Sequence, residues 1–408
     1  MTSQKEQFEF INGTRGLAAL QVVLLHFCAL FYPAFARVSQ AGNYPIEAVL
    51  SHTPLFFLID GYTAVFIFFL MSGFVLAGAF DNKVRQVPSQ VAKRFIRLFV
   101  PVAVAAVVAL ALFLGFAGAE EHTAAVTGSP WAQWLYHVDV SMSALVREVL
   151  LSSMLLGYDG VSIFSTWEWA GLPPLSASSN APLWTLHIEF WGSMLLLVLA
   201  LARNLLPRSI FRGLFVGTLI FTGTSHFTLF LLGFAAYHSR ALLLSQRLTP
   251  AIGSAVLLAG VLMATMLGTW ACGFLLQLLA RVTFAQAADP VQFRDMLSAI
   301  VIMLGVCLSP SLRRLLSARP LLWLGKVSFS LYLLHFPILF SVGCWLFNRL
   351  FERLPMPAAT TLTLLAILPL MLAFASLFER FVDRPAISLS SRVARAFGRT
   401  ESLLQRAN

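Results

Sequence analysis

Long apolar runs recur along this chain, and residues 98–119 hold 22 in a row without a polar side chain. An α-helix rises about 1.5 Å per residue and the bilayer hydrocarbon is about 30 Å thick, so about 20 such residues span it. Only 11% of the 408 residues are charged, against about 25% in soluble globular chains, and the mean hydropathy is +0.80. A soluble enzyme, a disordered chain and a disulfide scaffold are excluded. The expected fold is all-α, a polytopic transmembrane helix bundle. About ten spans are expected, near 16–33, 54–80, 95–117, 183–202, 209–224, 226–239, 250–272, 295–311, 320–347 and 358–381. The region 209–239 is short for two crossings and must turn at Gly223-Thr224-Ser225; one long hairpin or a re-entrant pair is the alternative. Cys28, Cys272, Cys307 and Cys344 lie in apolar stretches without a CxxC pair and read as small buried hydrophobes. The N-terminus lacks the basic region and small-residue site of a cleavable signal peptide.

The net charge is +10. In a soluble protein this would suggest nucleic acid; in a membrane protein it reports orientation, and no nucleic-acid partner is expected. Assigned to loops, 22 of the 28 basic residues fall on the side of both termini, among them Lys5, Lys83, Arg85, Lys93, Arg203, Arg208, Arg212, Arg247, Arg313, Arg314, Arg399 and Arg406. The other side keeps Arg37, Arg147, Arg281, Arg294, Arg349 and Arg353. The positive-inside rule therefore places both termini in the cytoplasm. The longest outside loop, about 118–182, carries Glu120, Glu121, Asp139, Glu148, Asp159 and Glu168 together with Trp131, Trp134, Trp167 and Trp169. Its tryptophans fit either an interfacial aromatic belt or a platform for a sugar ring. Residues 144–157 are apolar but too short to span, as an interfacial or re-entrant helix would be. The chain divides into a membrane domain, 1–390, and a basic tail, 391–408.

Ionisable groups within spans cost about 2.5–3.5 kcal/mol each on insertion scales, which makes each a functional candidate. These are His26, Asp60, Glu189, His335 and Lys326. Arg15 and His26 stand eleven residues apart, about three turns plus about 20°, so they share one helix face about 16 Å apart along it. Arg15 could hold a phosphate or carboxylate or anchor a helix end. His26 could be a general base or make an interhelical hydrogen bond. Ser72-Gly73 allows either close helix packing or close approach of a ligand. Arg94 and Arg97, at i and i+3, could clamp a polyphosphate at the cytoplasmic mouth or serve as topological charge. Glu189 enters with span four from the outside, near Trp184 and His187, and His335 lies in the outer half of span nine with Tyr332. No HExxH or Hx3H pattern occurs, so no metal set is expected.

Taken in order, these pieces resemble the acyltransferase-3 family of integral membrane O-acyltransferases. The family's Arg-x10-His is matched by Arg15 and His26. Its FFxxSGF run is matched by Phe68, Phe69, Ser72, Gly73 and Phe74, and its Arg-x-x-Arg by Arg94 and Arg97. Leu183, Trp184, Thr185, Leu186 and Glu189 match LW[ST]LxxE. Leu324 to Pro337, with Lys326, Ser328, Tyr332 and His335, match LGKxSxSLYLxHxP. Asp383-Arg384-Pro385 is similar to the terminal E-R-P, with Asp for the usual Glu. One departure is Phe66 after Val65, where many members carry Asp; Asp60 lies a turn and a half earlier.

The resemblance implies transfer of an acyl group, commonly acetyl, from cytoplasmic acyl-CoA to a hydroxyl of an extracytoplasmic carbohydrate or glycan. It implies His26, Arg15 and Glu189 at the chemistry, and Arg94, Arg97, Ser72 and Gly73 toward acyl-CoA. Trp184, His335 and Tyr332 would face the acceptor. Acyl-CoA is then a co-substrate, with no bound cofactor, and the protein sits in a bilayer, on this reading the bacterial inner membrane. Some members carry a fused hydrolase-like domain; this chain ends soon after span ten, so it is expected to act directly or to hand over to a separate protein. A transporter of a polar glycan or lipid precursor, with His26, Glu189 and His335 as proton relays, is the competing reading.

Overall fold

The computed structural model describes residues 8–81, 87–134, 141–165, 171–245, 250–279 and 289–407, the side chains only to 396 in the last stretch and to 244, and from 251, around the break near 245. Lys5, Lys83, Arg85, Asp139, Trp167, Glu168, Trp169, Arg247 and Arg281, with the side chains of Arg399 and Arg406, lie outside the described residues. Among the described residues every regular element is helical. The principal helices are α1 (Glu9–Phe31), α2 (Gly61–Phe80), α3 (Val87–Gly115), α4 (Trp184–Leu205), α5 (Arg208–Thr222), α6 (His226–His238), α7 (Pro250–Met266), α8 (Thr269–Leu279), α9 (Pro290–Leu308), α10 (Arg319–Ile338), α11 (Cys344–Phe351), α12 (Met356–Phe378) and α13 (Arg384–Ala407). Wider π-helical turns, Leu339–Gly343 and Glu379–Asp383, join α10 to α11 and α12 to α13.

Seven described segments are long and apolar enough to cross a membrane, and an eighth if α7 and α8, bent by 96° at their junction, form one broken crossing. The other two of the ten expected spans are α5 and α6, of 15 and 13 residues. They rise only about 22 and 20 Å, short of the hydrocarbon thickness. The turn between them falls where expected, at Gly223, whose φ of 50° suits glycine. The expected basic tail from 391 continues the helix α13 as far as Ala407.

Apolar runs show where a helix is greasy, and caps show where it begins. The third span begins at Val87, not 95, with Pro88 in its first turn, where a missing N–H costs nothing. α9 begins at Pro290, not 295, because Asp289 caps it, accepting from the backbone N–H groups of Val291 (2.8 Å) and Gln292 (3.1 Å). Both corrections bring basic residues into helices.

The chain divides into two compact units. The first comprises Met1–Ala18, Tyr62–Val91 and Trp191–Gly325. Its helices meet through small residues, as membrane helices do. A Cβ on Gly73 of α2 would strike the Phe230 carbonyl of α6, and one on Gly233 of α6 the Leu70 carbonyl of α2. Gly260 and Gly305 let α7 and α9 approach in the same way. The second unit comprises Ala19–Gly61, Ala92–Phe190 and Lys326–Asn408. Its core is built on Phe31, Phe336, Phe340 and Phe347, all buried. Residues 144–157 form the short helix Met142–Arg147 and a π-helical stretch, Glu148–Leu156; these are too short to span, as expected.

Candidate active site

In the second unit α1 and α10 bring two imidazoles together. His335 Nε2 lies 3.3 Å from His26 Nδ1. His335 is fully buried and His26 keeps 9% of its surface. Each ring is also held by its own helix: His26 Nδ1 is 2.8 Å from the Val22 carbonyl, and His335 Nδ1 is 2.7 Å from the Tyr332 carbonyl. His335, expected on the acceptor side, thus touches His26 itself.

The short helix Pro130–Trp134 brings Trp131 to this pair. The Trp131 ring lies 5.3 Å from His26, centroid to centroid, as does Phe336. Trp131 is set by Ser129, whose hydroxyl donates to the Ala29 carbonyl of α1 at 2.6 Å and accepts from the Ala132 N–H at 3.3 Å. Further on, Pro337 in α10 has no N–H for the Leu333 carbonyl four residues back. Asn180 Nδ2 donates to that carbonyl instead, at 2.7 Å. The Tyr332 hydroxyl bonds Thr185 Oγ1 (2.8 Å) and the Pro182 carbonyl (3.0 Å), so the entry to α4 is tied to α10 beside His335. Trp184, half-buried, opens α4 at this point.

Glu148 was legible only as loop charge, yet it is buried. It accepts from the hydroxyls of Ser178 (2.6 Å), Ser179 (2.8 Å) and Tyr158 (3.2 Å) and from the Ser179 N–H (3.0 Å). Burial pushes its carboxyl up from the ordinary value, and these donors offset only part of that. His187 is buried and accepts from the Ile163 N–H at 3.2 Å. These contacts fix the turn that delivers α4.

Arg94 and Glu189 form an ion pair, with side-chain exposures of 13% and 16%. The expectation that Arg94 sits at the inner mouth and Glu189 in the outer half does not hold for a pair in contact. The cause is the earlier start of α3, which puts Arg94 two turns inside a helix. Arg97, half-buried, has Asp383 and Glu189 within electrostatic reach. Glu379 accepts from Arg384 Nε at 2.6 Å and lies 4.0 Å from Lys326 Nζ.

Arg15, Ser72 and Gly73 belong to the first unit. Arg15 Nη2 donates to the Gly325 carbonyl at 2.7 Å. The close approach at Gly73 is made by α6, so helix packing accounts for the glycine, and Ser72 beside it is half-buried. Phe66, at the family's Asp position, stacks on His226, 5.6 Å between centroids, and His226 Nε2 is 2.8 Å from Gln292 Nε2. Asp60 is buried directly before α2. Arg294 and Asp295 form a buried ion pair on α9; the Asp289-Pro290 cap is the signal that places Arg294 inside that helix with Asp295. Among the described residues no three His, Cys, Asp or Glu side chains gather as a metal site requires.

The family model of the acyltransferase domain, acyltransferase-3, matches residues 8–380. The chain belongs to the acyltransferase-3 family. The match runs from α1 to the π-helical turn after α12, and it contains the histidine pair, Trp131 and the Arg94–Glu189 pair. The O-acetyltransferase PaAT-1 of Phomopsis amygdali is 27% identical over 203 residues, 47% of this chain and 40% of that protein. The similarity thus spans less than half of either chain. No solved structure matches this acyltransferase-3 chain. In such a domain, a nearly buried imidazole supported by a second one and faced by an indole can serve as general base toward a hydroxyl.

Proposed function

We propose that this chain is a membrane O-acyltransferase that moves an acyl group, acetyl in the first instance, from cytoplasmic acyl-CoA to a hydroxyl of an extracytoplasmic carbohydrate or glycan. The observation that carries this reading is the His26–His335 pair, enclosed by Trp131, inside an acyltransferase domain. His26 takes the proton of the acceptor hydroxyl, and the oxygen attacks the thioester carbonyl carbon. The tetrahedral intermediate then collapses, the carbon–sulfur bond breaks, and the departing thiolate takes the proton back from His26. An ester and free CoA result, and the proton count closes. Histidine suits both proton steps near neutral pH.

Arg97 is the better candidate than Arg94 for a CoA phosphate, because Glu189 already engages the Arg94 charge. Glu189 thereby acts through Arg94 and holds α3 to α4. Arg15 stands on the His26 face of α1 and suits a phosphate as a bidentate donor. Trp131 offers an aromatic face to the C–H face of a sugar. The distribution of basic residues supports cytoplasmic termini, with the loop that holds Trp131 on the far side, in a cytoplasmic membrane of bacterial type.

The test is a mass-spectrometric comparison of envelope glycans with and without the gene. An acyl-sized mass lost from one glycan, and restored by the wild-type gene, supports the reading. Unchanged acylation of every envelope glycan contradicts the acceptor class.

A further inference from the structure

Hydrogen-bond bookkeeping around the two histidines leaves one arrangement of their protons. A carbonyl oxygen can only accept, and a neutral imidazole has one donor and one acceptor nitrogen. His335 Nδ1 lies 2.7 Å from the Tyr332 carbonyl and 3.2 Å from that of Leu331, so Nδ1 carries the proton and Nε2 is bare. His26 Nδ1 faces the Val22 carbonyl at 2.8 Å and the bare Nε2 of His335 at 3.3 Å. Both neighbours are acceptors, so His26 also holds its proton on Nδ1 and shares it between them. The lone pair of His26 then resides on Nε2. A cationic His335 would set two N–H groups against each other, so the pair is stable only with His335 neutral.

We infer that His335 is a positioning residue that, together with the Val22 carbonyl, holds the His26 ring in place in the Nδ1–H tautomer, which makes Nε2 of His26 the nitrogen that exchanges the acceptor's proton. When Nε2 takes that proton, the imidazolium keeps its Nδ1–H shared between His335 and the Val22 carbonyl. No carboxylate is needed for this; a second neutral imidazole fills the orienting place. The ring of His335 is itself held by its own helix turn, and Asn180 occupies the Leu333 carbonyl that Pro337 leaves open two residues along. The inference rests on the acyltransferase reading for its chemical purpose, and on the distances alone for the tautomer.

The test uses the full-length protein in detergent or nanodiscs. His335→Leu removes one of the two acceptors that hold the His26 ring and is expected to lower kcat about 100-fold, the upper end of the scale on which orienting partners act, with KM for acetyl-CoA within about twofold. His335→Gln returns an acceptor oxygen and is expected to regain about tenfold over the Leu variant at equal thermal stability. Equal loss in both variants, or full activity in the Leu variant, overturns the inference. Because either variant could fail to fold, the wild-type protein labelled with 15N-histidine supplies a second reading. A 15N–15N correlation across a hydrogen bond, joining the protonated Nδ1 of His26 to the bare Nε2 of His335, is expected; a neutral ring of either histidine with its proton on Nε2 overturns the inference. Wild-type protein that shows the correlation but transfers no acyl group refutes the proposed function and leaves the pairing standing.

Discussion

His335 Nε2 lies 3.3 Å from His26 Nδ1, across a sequence separation of 309 residues. That contact converts two buried polar residues, each costly inside a span, into a supported pair. It also sets the requirement for the rest of the unit: α1, α10 and the loop carrying Trp131 must be held together. Ser129 and Asn180 do this through side-chain bonds to the Ala29 and Leu333 carbonyls.

The Arg94–Glu189 pair is the next testable contact. Removing one partner leaves a charge uncompensated in a low-dielectric site, which costs about 3–5 kcal/mol for a buried pair. The pair keeps a little exposure, so Glu189→Gln and Arg94→Met are each expected near about 3 kcal/mol. The double variant should lose clearly less than the two losses added. Thermal unfolding of all four proteins in one detergent measures this; strict additivity would show that the two side chains do not interact.

Much of this architecture can be read from the residues. The apolar runs mark the crossings, Gly223 marks a turn, and the eleven-residue spacing sets Arg15 and His26 on one face. Local periodicity carries that information. The two central contacts are not local. Hydropathy begins the third span at Phe95, whereas the helix begins at Val87; the difference hides that Arg94 can meet Glu189. Glu148 reads as loop charge because its donors, Ser178 and Ser179, are about 30 residues away and common in any loop. His335 could be flagged as intramembrane, but only the folded chain shows that its partner is His26.

Gly73 separates a packing role from a ligand role. An added Cβ meets the Phe230 carbonyl, which cannot move without its helix. Gly73→Ala is expected to destabilise by about 1–3 kcal/mol, the cost of overpacking, and to leave KM for acyl-CoA nearly unchanged in the folded fraction. Unaltered thermal stability with a raised KM would instead place a ligand at Gly73.

Trp131 should act on the acceptor and not on the donor. An aromatic contact beyond simple burial is worth about 0.5–1.5 kcal/mol, or about two- to twelvefold in affinity. Trp131→Ala is expected to raise KM for the carbohydrate by that factor, with Trp131→Phe in between and KM for acetyl-CoA unmoved. Initial-rate kinetics with each substrate varied in turn decide it; an effect on acetyl-CoA alone would contradict the assignment.

Glu148 gives a pH signature. Its folded carboxyl titrates above the ordinary value near 4.5, chiefly through burial. The folded state therefore holds the proton more tightly than the unfolded state. The resulting stability is complete below about 4.5 and is lost as pH rises through the raised folded value. Exchange protection of residues 142–165 and 171–183, corrected for the intrinsic pH dependence of amide exchange, should fall over that rise in the wild type, and Glu148→Gln should flatten the dependence. An identical slope in both proteins would show that Glu148 does not control the segment.

The most direct measurement is turnover of radiolabelled acetyl-CoA by the purified protein with an envelope glycan preparation, wild type against His26→Ala. General-base catalysis contributes about 10²- to 10⁴-fold. The expected result is acyl transfer by the wild type and a loss of at least about 100-fold in the variant, with acetyl-CoA still bound. Equal transfer by both proteins would contradict the assignment of His26 as the base.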